Sequence, residues 1–113
     1  LWWEENRETT QQYYSSVLLR EGDAPQECDS DICWQILNNH LRSPSMLCII
    51  PLQDWLSFWD GLRRADASAE RINLPSNPQH YWRYRMHLFL EDLLTADAYN
   101  NSVKKMIADA QRN

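Results

Sequence analysis

The feature that most restricts this chain is the run MLCII at positions 46–50. Five apolar residues follow one another without a break. The turn formers SPS precede them, Pro51 stops them, and Gln53 and Asp54 come directly after. Polar–apolar alternation would mark a sheet with one wet face, and there is none. A short continuous apolar run bounded by turn residues fits a strand covered on both sides, as in a parallel sheet flanked by helices, and five residues are too few for a typical buried helix. Such a strand needs neighbours on both sides to satisfy its backbone donors and acceptors. The 113 residues hold no second clear strand. The neighbours are expected from chain outside this sequence, from another copy, or from a strand without a clear pattern.

Helices surround the run. Trp3, Thr10, Tyr14, Val17 and Leu18 recur at helical spacing and predict a helix over 2–20, with carboxylates in its first turn and Glu21-Gly22 as its stop. After the loop GDAPQECDS, Asp29 or Ser30 caps a second helix over about 31–42, whose stripe is Ile32, Ile36, Leu37 and Leu41. Residues 52–58 suit one or two helical turns. The polar stretch from Asp60 to Pro78 reads as a long loop with a turn of helix near 66–71, and loops of that length are often functional. HYWRYRMHL is ambiguous; as a strand it sets His80, Trp82 and Tyr84 against Tyr81, Arg83 and Arg85. Helices over 87–95 and 97–111 close the chain, the last buried through Val103, Met106, Ile107 and Ala110.

The expected fold class is therefore mostly α with one buried strand. The order helix, helix, strand, loop, helices is that of one late unit of a (β/α)8 TIM barrel, taken as the barrel's C-terminal portion. Active sites in such barrels lie at the C-terminal ends of the strands, so Gln53 and Asp54 would face the catalytic mouth.

Charge and cysteines narrow the partners. The net charge is −5, and residues 1–31 hold eight of the acids against Arg7 and Arg20. HYWRYR interleaves aromatics with arginines as single-strand binders do, but the acidic balance disfavours a nucleic-acid partner. No apolar run approaches the roughly 20 residues of a membrane span. The start LWWEENRE is aromatic and acidic, unlike a secretory leader. Leu1 is not an initiator methionine, and a piece of a longer protein is expected. Cys28 and Cys33 lack CxxC spacing, and Cys48 in the apolar run reads as a small buried hydrophobe; an odd count without a framework suits a reducing cytoplasm. No metal or cofactor is expected, because Cys28, Cys33, His40, His80 and His87 lack ligand spacing. Six tryptophans serve either core packing or the apolar face of a sugar ring.

The motifs IIPLQDWL and ERINLPSNPQHYWRYR carry a resemblance. Their P-x-Q-D, R-x-N-x-P and W-R-Y-R elements, in this order, are similar to the closing part of amylomaltases, the 4-alpha-glucanotransferases of glycoside hydrolase family 77. INLPSNPQHYWRYRMHLFLEDLL most resembles the long disproportionating enzymes of that family. LWWEENRE resembles the segment following the family's His-Asp motif. The likeness covers residues 1 to about 95, strongest over 47–90. It implies an enzyme that moves α-1,4-glucan segments by a retaining double displacement, with two carboxyls about 5–5.5 Å apart.

No residue here matches the family's nucleophile, acid/base or stabilising carboxylate, so no catalytic residue is assigned, and the chain is expected to be an inactive fragment: a C-terminal barrel segment over 1–113 that supplies part of a sugar-binding cleft. Asn73 matches a family asparagine near the donor sugar; otherwise it holds its loop by Asx-turn bonds. Gln53 and Asp54 match the QD pair; otherwise they orient the next turn, with Asp54 as its cap. Trp82 with Arg83 and Arg85 matches WRYR, the arginines being suited to a buried barrel carboxylate. Trp55 and Trp59 depart from the family's commoner leucine and glycine. The implied partners are maltooligosaccharides and the rest of the barrel, and the isolated piece is expected to form homo-oligomers. A free-standing helical interaction module without enzymatic activity is the alternative.

Overall fold

The computed structural model describes residues 2–112. Among them, six α-helices and one 3-10 turn form, and no strand does. The helices are α1 (Trp2–Glu5), α2 (Arg7–Ser16), α3 (Ser30–Leu41), α4 (Leu52–Ser57), α5 (Leu90–Thr95) and α6 (Asp97–Asp109); the 3-10 turn spans Ala67–Glu70.

The expected buried strand is absent, and with it the mixed α-plus-strand architecture read from the sequence. Residues 46–50 are irregular, and Met46, Leu47 and Ile49 are 91, 75 and 90 % exposed. The physical reason lies in the backbone: an extended segment becomes a strand only against another strand, and no described residue forms one. Its apolar side chains divide accordingly. Cys48 and Ile50 turn inward onto the core, while Met46, Leu47 and Ile49 face solvent. Residues 80–86, the ambiguous HYWRYR stretch, are also irregular.

The first predicted helix is split and shorter than expected. Asn6 leaves helical geometry (φ −123°, ψ 58°), and the fully buried Thr10 hydroxyl donates to the Trp3 carbonyl at 2.8 Å. That bond satisfies a carbonyl left over at the break. Helix α2 then stops at Ser16, and the chain already turns into the left-handed region at Leu19 (φ 54°), three residues ahead of Gly22 (φ 82°). The N–H groups of Leu18 and Arg20 close the end on the carbonyls of Tyr13 and Tyr14 at 3.1 Å each. The Trp3 indole donates to the Pro25 carbonyl at 2.9 Å, and the Arg7 guanidinium donates to Pro25 at 2.8 Å and Ala24 at 2.6 Å. These bonds hold the 22–28 loop against α2.

Helix α3 follows its sequence signals. The Asp29 side chain accepts from the Ile32 N–H at 2.8 Å, as an N-cap should. Its apolar stripe serves two clusters. Ile32 packs with Trp3, Leu18 and Ala24; Leu37 and Leu41 pack with Leu56, Phe58, Tyr99 and Met106. Val103, Ile107 and Ala110 of the closing helix lean on the second cluster, as their spacing predicts. Trp59 stands edge-on to Tyr99 at 5.9 Å, and Phe58 stacks on Tyr99 at 5.5 Å. Trp59 and Trp55 thus join the packing. Beyond α6, the Arg112 guanidinium returns to the end of α3, donating to the carbonyls of Leu41, Ser43 (2.8 Å) and Ser45 (2.7 Å).

The accessible surface is 8316 Å² and the radius of gyration 15.5 Å. A compact monomer of this mass exposes about 6,500 Å², and one of this length has a radius of gyration of about 13 Å. This chain buries less of itself than a self-sufficient domain does.

Candidate functional site: the cavity between α3, α4 and residues 63–70

A cavity of about 670 Å³ opens where α3, the start of α4 and residues 63–70 meet. That volume lies within the roughly 300–1,000 Å³ of ligand pockets. Pro51 begins α4 by fixing the backbone at its N-cap position, and the first turn then presents Gln53 and Asp54 to the cavity. Ile36 and Leu37 of α3, with Ile50, form an apolar floor, and the exposed Ile49 adds to the lining. His40 supplies an imidazole from the last turn of α3, its Nδ1 2.8 Å from the Ile36 carbonyl. Arg63, Arg64 and Glu70 complete the polar wall. Amide, carboxylate, guanidinium and imidazole groups over an aliphatic floor suit a polyhydroxylated ligand with C–H faces.

The electrostatics are mixed in sign. Burial pushes the Asp54 carboxyl above its ordinary value, and the neighbouring His40 opposes that shift. Asp54 caps no helix: it lies inside the first turn, with its own N–H donating to the Pro51 carbonyl at 3.1 Å. Glu70 is shielded from solvent beside Arg64 (3.7 Å) and His87 (3.8 Å), and His87 Nε2 lies 2.9 Å from the Leu62 carbonyl. The Tyr84 hydroxyl is pushed above its ordinary value first by loss of water and then by Glu70. Arg63 donates to the Cys28 carbonyl at 2.8 Å.

Two cysteines that sequence spacing left apart meet at this cavity. The sulfurs of Cys28 and Cys33 lie 3.5 Å apart, and both residues line the wall. The hydrogen bond from Cys28 holds the Cys33 thiol low, at about 7, with help from the Ser57 hydroxyl and Arg63 against the opposing effect of burial. Cys28 is pushed up, chiefly because it keeps the proton it shares with Cys33.

Of the residues singled out in the sequence, Gln53 and Asp54 line the cavity, whereas Asn73 and Trp82 do not. Trp82 is 72 % exposed and Asn73 is also exposed. The Asx bonds of the long loop fall to Asp66, which accepts from the Ser68 N–H at 2.9 Å, and to Asn77, which accepts from the Gln79 N–H at 3.0 Å. Arg83 lies over the Tyr81 ring, 5.0 Å from its centroid. Sequence reading missed His40, Arg63, Arg64 and Glu70. The adjacent arginines ahead of the RINLP motif were the available signal for the wall. Among the described residues, no group of three or more His, Cys, Asp or Glu side chains is arranged to hold a metal, and no helix is long and apolar enough to cross a membrane.

The chain belongs to glycoside hydrolase family 77: the family model described as 4-alpha-glucanotransferase matches residues 1–91. A particular relative is the 4-alpha-glucanotransferase DPE2 of Oryza sativa subsp. japonica, 34% identical over 112 residues, which is 99% of this chain and 12% of that protein. The chain thus spans about an eighth of the relative's length. No solved structure matches it.

Proposed function

We propose that this chain is the C-terminal segment of the catalytic domain of a longer 4-alpha-glucanotransferase, which transfers α-1,4-glucan segments between maltooligosaccharides in the cytoplasm. The observation that carries this reading is the family match over residues 1–91. The cavity beside α4 supports it, because its polar wall and apolar floor suit a sugar. The reaction is a retaining double displacement. One carboxylate attacks the anomeric carbon; a second carboxyl protonates the departing oxygen and then takes the proton of the incoming 4-hydroxyl. Carboxyl groups perform every step, so no cofactor or metal is needed. Both reacting carboxyls belong to the rest of the enzyme.

This segment supplies sugar contacts. Gln53 and Asp54 offer an amide and a carboxylate to hydroxyls from the cavity wall. Asn73 and Trp82 act from outside that wall, the Trp82 ring lying flat on a pyranose C–H face. The exposed apolar residues Met46, Leu47 and Ile49 are covered by the rest of the catalytic domain, and the isolated chain self-associates through them. A free-standing helical module is disfavoured by the excess of exposed surface.

Glucose release from maltotriose tests the reading. The complete protein is expected to release glucose and the purified chain to release none; turnover by the purified chain overturns it. In the complete protein, Asn73→Ala is expected to lower kcat/KM about tenfold, through loss of a hydrogen bond to sugar worth about 1.4 kcal/mol.

A further inference from the structure

We propose that Cys28 and Cys33 form a reversible dithiol–disulfide site on the cavity wall, whose reaction partner is a small-molecule disulfide of the oxidised-glutathione type. The sulfurs already lie 3.5 Å apart. A disulfide requires about 2.05 Å, so the closure is about 1.5 Å. The structure puts that movement on the right element. Cys33 is fixed in α3, its N–H bonded to the Asp29 carbonyl at 3.0 Å, while Cys28 sits on the irregular segment ahead of the Asp29 cap. The loop can travel without unwinding the helix. Both cysteines are half-buried and line the cavity, which gives a small disulfide its approach.

The chemistry balances. The Cys33 thiolate attacks one sulfur of the small disulfide RS–SR, breaking that bond and releasing RS⁻. The Cys28 thiol then gives up its proton and attacks the Cys33 sulfur of the mixed disulfide, expelling the second RS⁻. Two electrons and two protons leave the chain, and two RSH are formed. The lowered thiol of Cys33 makes it the attacking group at neutral pH. Once Cys33 is in the mixed disulfide it carries no charge to hold the Cys28 proton, which frees Cys28 for the second step. Because Arg63 donates to the Cys28 carbonyl at 2.8 Å, closure also draws on the Arg63 side of the cavity.

The test treats the complete protein with oxidised glutathione near neutral pH, blocks remaining thiols, and cuts the chain at Asp29 or Asp31 before mass spectrometry. The expected product is a pair of peptides joined through Cys28 and Cys33, separated again by dithiothreitol, with Cys48 outside the link. Cys28→Ser is expected to stop at a glutathione adduct on Cys33, and Cys33→Ser to slow the reaction at Cys28 at least tenfold. Separate glutathione adducts on both cysteines of the unsubstituted protein, or two unreacted thiols, overturn the proposal. The unsubstituted protein decides the matter even if a variant fails to fold.

Discussion

In α3, Ile32, Leu37 and Leu41 are 0, 5 and 4 % exposed, whereas most of the apolar stretch at 46–50 faces water. The two regions are separated by a short turn, and the second is the more apolar of the two. What differs is periodicity. The apolar residues of α3 recur at helical spacing, so its stripe meets Trp3, Leu18 and Ala24 at one end through Ile32 and α4 and α6 at the other through Leu37 and Leu41. The helix also satisfies its own backbone. Residues 46–50 have no local way to do so, and their burial depends wholly on a partner segment. The helices are completed within this chain; among the described residues no strand is.

Substitutions on either side test that contrast. Leu37→Ala is expected to cost about 2–5 kcal/mol in denaturant unfolding, while Ile49→Ser in the same chain, diluted until it is monomeric, stays within about 0.5 kcal/mol. In the complete protein the gap is expected to narrow, because Ile49 is then covered. Equal costs in the isolated chain would break the contrast. A smaller effect is expected at the start of α3: Asp29→Ala removes the bond to the Ile32 N–H and costs about 1 kcal/mol, read from the same unfolding curves.

The smallest effect appears only in alkali. The Tyr99 hydroxyl donates to the Trp55 carbonyl at 3.2 Å, and burial raises its pKa above the ordinary 10.0. The unfolded chain releases this proton near pH 10 while the folded chain keeps it. The stabilisation is therefore complete below pH 10 and is lost as pH rises through 10 toward the raised value. Melting temperatures of the wild type and Tyr99→Phe, compared from pH 8 to 11, are expected to converge above pH 10.

The same distinction explains what was legible. Helices α3 and α6 were readable because period and cap are local properties of Asp29, Leu37 or Met106. The strand reading of 46–50 failed because a continuous apolar run encodes burial without encoding the partner. The end of α2 was misplaced because a leucine took a left-handed turn ahead of the glycine expected to stop the helix. Gln53 and Asp54 line the cavity because Pro51 starts the turn that carries them. Asn73 and Trp82 stand outside the cavity because spacing along a loop does not fix where the loop goes. The Cys28–Cys33 pair escaped notice because its closeness arises from a bend just before the Asp29 cap.

The Arg112 guanidinium has a consequence for how the molecule holds its shape. It ties down the last carbonyls of α3 and the turn beyond, reaching back 71 positions to Leu41 and 67 to Ser45. The tail therefore acts as a latch on the point where the chain leaves α3 and heads for the cavity floor. Replacing Arg112 alone with alanine would let that exit swing, and the pocket lip far upstream would loosen first.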